Sequence, residues 1–212
     1  MAIRRKLNKH QKRLINASKI ANQCRRNWAY EKFNNEDLQT ITSVATNMPT
    51  KQNVLNFELV VSTNVQVNEE FYRVATSEDD RFREWNNGQV NAPLLYIWCN
   101  SPTVIEQMEK NYQDNSLRNL CIGISSGAAA LTATFLGYET GFCRCFEDDD
   151  VERIIKENVG IEKLFPKLML GVGHPKLNSN GTPENRSKCF IGGDHMYTTS
   201  KHSFKLQKIH YI

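Results

Sequence analysis

The stretch LRNLCIGISSGAAALTATFLGYETGFCRCF, residues 117–146, decides the fold. Its first part, 117–137, is the longest element of the chain, and small residues crowd its middle at Gly123, Ser125, Ser126, Gly127 and 128–130. Its length predicts one helix with a small-residue face that lets a backbone or a flat ligand approach closely. Gly137 stands where a C-cap is needed, because glycine adopts the left-handed conformation at little cost. Residues 140–146 then read as a strand. Cys143 and Cys145, two apart, share a face of such a strand, and packing is the reading adopted for them over redox chemistry.

Working outward, Asp148, Asp149 and Asp150 open a helix over 148–159, since acids favour the positive end of the helix dipole. KLMLGV (167–172) is an apolar strand leading into Gly173-His174-Pro175. Upstream, APLLYIWC (92–99) is nearly continuously apolar and of strand length, which marks a strand covered on both faces. Residues 104–112 and 67–83 read as helices, with a turn at Asn86-Asn87-Gly88, and VLNFELVVS (54–62) as a strand. Before it, Asn34, Asn35, Glu36 and Asp37 start a helix whose buried stripe is Leu38, Ile41, Val44 and Ala45, and Pro49 ends it. Ile3, Leu7, Leu14, Ile20 and Ala21 recur at helical spacing among basic residues, predicting an amphipathic helix in one or two pieces. Helices and strands alternate without repeats or linkers. This predicts a single α+β domain over 1–212, with a basic helical leader at 1–24 and an irregular tail at 176–212 that holds a candidate strand over 205–212.

Composition narrows the class. The 212 residues are 40% hydrophobic, giving a modest core, and no run approaches the roughly 20 consecutive apolar residues of a membrane span. The charged start lacks an apolar segment and a cleavage site, so a cytoplasmic location is expected. Nine of the 27 Lys and Arg precede residue 30 with no acid among them, so the remaining 18 face 23 acids. Such a leader suits nucleic acid, an acidic surface or a phosphorylated ligand. The six cysteines form no CxxC pair and are expected to be reduced, and the five histidines show no metal-ligand spacing.

Four local patterns stand in order. Cys24-Arg25-Arg26-Asn27 is followed by a helix, then by Pro49-Thr50-Lys51-Gln52-Asn53, then by Leu136-Gly137-Tyr138 with its strand, and last by Leu170-Gly171-Val172-Gly173-His174-Pro175. Together they resemble the FMN-dependent nitroreductase family, with its Arg-Arg-Ser start, Pro-Ser-x-x-Asn loop, Leu-Gly-Leu-Gly turn and Ile-Gly-Tyr-Pro strand end. The resemblance covers roughly residues 24–175. It implies a nitroreductase-like α+β fold, with a central, mainly antiparallel sheet flanked by helices, and a homodimer holding FMN at the subunit interface.

The resemblance also assigns roles. Arg25 and Arg26 would pair with the FMN phosphate, as fixed multi-donor cations do, and Asn27 stands in place of the family serine. Taken alone, two adjacent arginines are better read as a solvated helix end. Pro49, Thr50, Lys51 and Asn53 would face the polar edge of the flavin across the subunit boundary, although a proline-ended turn capped by Asn53 satisfies the same residues locally. Backbone groups at Cys143 and Arg144 would lie against flavin N5, where the family usually has glycines. Arg144 is open as a pocket residue or a surface one. Ala29 replaces a basic residue of many relatives, for which Lys51 is the candidate stand-in. Arg186, Lys201 and Lys205 are candidates to close the phosphate site.

The activity implied is that of an oxidoreductase passing hydride from NADH or NADPH through FMN to a small electron-poor acceptor, a nitroaromatic or quinone, by a ping-pong mechanism. No side chain is then needed as a catalytic acid or base. Two alternatives stand beside it: a non-catalytic flavin-binding protein on the same fold, and a basic nucleic-acid-binding protein. Against the second, the leader lacks interleaved aromatics and precedes an acidic body.

Overall fold

A computed structural model describes residues 7–21, 24–76 and 86–184. Four strands form its centre: β1 (Glu58–Ser62), β2 (Leu94–Asn100), β3 (Glu139–Cys143) and β4 (Phe165–Gly173). They lie in the order β1-β2-β4-β3, and every neighbouring pair is antiparallel. The expected mainly antiparallel sheet is present. All seven residues of β2 are buried, as its unbroken apolar run requires, because helices cover both faces of the sheet.

The alternation of side chains along β2 separates two cores. Leu94, Tyr96 and Trp98 point to one face, with Leu170 and Val172 of β4 beside them. This face is covered by α2 (Asn35–Thr46) through Ile41 and Ala45, and by α5 (Asn115–Leu136) through Ile122, Ala129, Ala130 and Ala133. Leu95, Ile97 and Cys99 point the other way, toward Phe71 of α3 (Val65–Val74) and toward Val151, Ile154 and Ile155 of α6 (Asp148–Val159). Helix α4 (Pro102–Lys110) follows β2, and α1 (Lys9–Ala21) packs on α5 and β3. Burying each of these large apolar side chains contributes about 2 kcal/mol, so β2 is the principal anchor.

Local sequence explains the element ends. The Asn34 side chain accepts from the N–H groups of Glu36 and Asp37 to start α2, and Ser101 and Asp114 cap α4 and α5 in the same way. Gly137 ends α5 at φ 111°. Helix α5 corrects one expectation: by length and composition it could cross a membrane. One side of it, with Ile122, Ala129, Ala130 and Ala133, is used against the sheet and α2, so here it is a core helix, while Leu120 and Ile124 stay exposed. The long helix read over 67–83 is α3 up to Val74, and residues 77–85 lie outside the described ones. The strand and tail expected beyond 184 do too.

One crossing positions the site. Residues 87–92 run over the glycines of β4 and β3. A Cβ at Gly171 would collide with the Gln89 carbonyl, and one at Gly141 with the Arg25 carbonyl. The glycines at these strand positions let two further segments lie directly against the sheet.

Candidate functional site

The segment 24–29 is held against the β3–β4 edge by backbone bonds. The Arg25 N–H donates to Thr140 O at 2.8 Å and the Ala29 N–H to His174 O at 2.9 Å, while Asn27 O accepts from Lys176 N. Trp28, buried, donates its indole N–H to Gly88 O at 2.8 Å. The segment thus runs along β3, with Arg25 and Asn27 at its Glu139 end and Arg26 acting on the Cys145 thiol past its other end.

Arg25 is not available there as a phosphate ligand. Its guanidinium is almost fully buried, and Nε and Nη2 both lie 2.5 Å from Glu139 Oε2. Nη1 donates to Asn27 Oδ1 at 2.6 Å and to Glu184 O at 2.9 Å. Asn27 in turn donates to Glu184 Oε2 at 3.3 Å. A phosphate dianion set against Arg25 and Asn27 would meet two carboxylates already in place. The phosphate role expected for these two residues therefore does not fit, because the protein supplies its own anions. Arg26 is buried as well, and its charge acts on the Cys145 thiol. Arg186, Lys201 and Lys205 lie outside the described residues.

The loop 49–53 lies elsewhere, leading into β1 at the opposite edge of the sheet. The two edges are three strand spacings apart, roughly 14 Å. Gln52 and Asn53 take left-handed conformations at φ 59° and 55°, which side chains rarely adopt. Gln113 holds this shape: its Nε2 donates to Lys51 O at 3.0 Å, while its Oε1 accepts from Asn56 Nδ2 at 2.8 Å. Thr50 donates its hydroxyl to Val54 O at 2.9 Å. Pro49, Lys51 and Asn53 are exposed, and Thr46, Met48, Thr50, Asn53 and Leu59 line a cavity of about 300 Å³ beside the loop.

At the end of β3 the Arg144 guanidinium is tied down by Asp148 Oδ1 at 2.8 Å and by the carbonyl of Phe146, over whose ring it stacks at 4.5 Å. It braces the start of α6. Cys143 is buried and Cys145 exposed. Beside the first edge, Tyr138 stacks on Phe33 at 4.3 Å and donates to Asp37 Oδ2 at 2.7 Å. Burial, then the bond to Asp37, pushes its pKa up to about 12. The sequence reading missed Glu139, Glu184, Gln89 and Gln113. Nothing local marks them, since each acts on a residue 53 or more positions away. Among the described residues no cluster could hold a metal ion.

The fold this arrangement sits in is that of the nitroreductases. The chain is similar to a nitroreductase family protein from Clostridium novyi, at 17% identity over 81% of this chain and 89% of that one, with a TM-score of 0.59. NfrA1 of Bacillus megaterium superposes with a TM-score of 0.61 at 15% identity, over 85% and 74% of the two chains. An FMN-dependent nitroreductase from Clostridium difficile does so with a TM-score of 0.56 at 16% identity, over 80% and 91%. No family model and no curated protein matches the sequence.

Proposed function

We propose that the protein is a homodimeric flavin-dependent oxidoreductase that moves hydride from NADH or NADPH to a small electron-poor acceptor such as a nitroaromatic or quinone, by a ping-pong mechanism. The observation that carries this reading is the separation of the two half-sites on the nitroreductase fold. The exposed 49–53 loop and the Arg26, Cys143 and Arg144 cluster stand at opposite edges of one sheet. One flat ligand touches both only if a second copy brings its loop to the first copy's cluster. The outward side of α5 suits that assembly, since Leu120, Gly123, Ile124 and Gly127 form an exposed apolar and small-residue stripe.

The flavin, once bound, supplies the two-electron chemistry. The chain's residues bind and orient it. Thr50, Lys51 and Asn53 of one copy would face the ring's polar edge, with Lys51 as the nearby cation. Arg26 and the backbone at Cys143 and Arg144 of the other copy would hold the opposite side. Because Glu139 and Glu184 occupy Arg25 and Asn27, the phosphate falls to Arg186 or Lys205, or is recognised weakly.

Quenching of flavin fluorescence tests this reading. Titration with FMN and with riboflavin should show saturable binding of both, with affinities within about tenfold of each other. Absence of binding by either flavin contradicts it. The basic leader is not needed for nucleic acid in this account: Arg13 of α1 stacks on Phe135 at 4.4 Å and donates to its carbonyl, so α1 docks on α5.

A further inference from the structure

Three thiols meet where the 24–27 segment passes the end of β3. Cys24 Sγ lies 4.0 Å from Phe142 O. The Cys143 thiol donates to the Cys145 carbonyl oxygen at 3.8 Å, which sets the two side chains side by side. Of the three, Cys143 is buried, Cys24 half-buried and Cys145 exposed. Cys143 belongs to the core around Phe146 and Val151, whereas Cys145 packs in neither core and is held at the surface. A hydrogen bond from Phe146 N to Arg144 O, at 3.2 Å, closes a tight turn about it.

The surroundings separate the two thiols chemically. The adjoining Cys143 side chain, then the Arg144 N–H and the Arg144 and Arg26 guanidinium groups, pull the Cys145 thiol down to about 6. The Cys145 side chain, followed by burial, pushes Cys143 upward, with Cys24 adding to the rise. The other charged neighbours are Asp148, paired with Arg144, and Lys167, paired with Asp148 at 3.2 Å. At neutral pH an exposed thiolate therefore stands against a protonated partner two residues away. Residues two apart lie within about 7 Å even in an extended chain, inside or close to the span that a disulfide bridges.

We propose that Cys145 and Cys143 form a thiol–disulfide exchange site for small disulfides, with Cys145 the attacking sulfur and Cys143 the resolving one. The Cys145 thiolate attacks one sulfur of the substrate disulfide, forming a mixed disulfide and releasing one thiolate. Cys143 then gives its proton to the released thiolate and attacks the Cys145 sulfur, expelling the second thiolate. The protein is oxidised from dithiol to Cys143–Cys145 disulfide, and the substrate is reduced to two thiols. Nothing in this step needs a flavin.

The test uses reduced, desalted full-length protein and glutathione disulfide, with acid quenching and peptide mapping. The wild type should release two glutathione molecules per Cys143–Cys145 bridge formed and retain none. C143S should stop at glutathione on Cys145, and C145S should lose the rapid reaction. In the wild type, iodoacetamide should label Cys145 first. At pH 6 its rate should be roughly tenfold that of an ordinary exposed thiol, after allowing for the lower nucleophilicity of a less basic thiolate. The rate should fall with pH below about 6 and stay flat above it. If C143S does not fold, the wild-type map still decides. A stable mixed disulfide on wild-type Cys145, a bridge through Cys24, or labelling of Cys145 no faster than an ordinary thiol overturns the proposal.

Discussion

At the residue scale, the contact between Arg25 and Glu139 distinguishes this chain most clearly from what its sequence suggests. Two residues 114 positions apart form a charge pair with one partner almost wholly out of water. Breaking such a pair from one side leaves an uncompensated buried charge, which costs more than the pair contributes. E139Q should lower stability by about 3 kcal/mol, a fall in Tm of roughly 10 °C for a chain of this size, read by calorimetry. The same change removes an acid from the region expected to bind phosphate. FMN affinity should then rise against riboflavin affinity by severalfold. An unchanged Tm would show that Arg25 is sustained by Asn27 and Glu184 without Glu139. The sequence could not reveal this pair: Arg25 sat in a recognisable Arg-Arg pattern, and Glu139 was an unremarked acid in a strand region. Cys145 was legible as a residue but not as a lowered thiol, because Cys143 and Arg144 act on it only in the turn that ends β3, and Arg26 adds to them from far away in the chain.

At the scale of elements, the sequence marks boundaries well where one local signal decides them. Helix α6 begins at its three aspartates and ends before Gly160, which takes φ 75°, and α5 ends at Gly137. Strand ends are set by partners instead. The apolar run from Val54 continues into β1, yet pairing starts only at Glu58, opposite Cys99. The two left-handed residues and the Gln113 bonds hold what precedes it as a loop. In the same way β3 stops at Cys143, where the turn about Cys145 takes over. The glycines of β3 and β4 belong to this scale too. G171A would press a methyl group into the Gln89 carbonyl, a backbone atom that cannot rotate away. Overpacking of this kind should cost about 3 kcal/mol, measured as a reduced urea midpoint. An unchanged midpoint would mean that the 87–92 crossing lifts off freely.

At the scale of the whole molecule, two buried tyrosines tie stability to alkaline pH. Burial raises Tyr96 to about 12 despite its bond to Thr42, and Tyr138 rises to about 12 through burial and Asp37. A folded pKa above the unfolded value near 10 stabilises the native state fully below pH 10, and that contribution is lost as pH rises toward 12. The urea midpoint should hold to about pH 10 and fall beyond it, and Y96F should weaken the fall. A flat profile to pH 11 contradicts the assignment. The layered α+β architecture followed from alternation and from the double-sided burial of β2, both written in the sequence. The division of the proposed site between opposite edges of the sheet did not, because strand order is a property of the assembled chain.

The central claim is that these two edges, brought together in a dimer, hold a flavin that turns over. Its most direct measurement is the anaerobic absorption spectrum of the FMN-loaded protein before and after addition of NADH, and separately of NADPH. The expected result is loss of the oxidised flavin band with at least one of the two, restored when a quinone is added. A bound flavin that neither nucleotide bleaches would contradict it and leave a flavin-binding protein without turnover.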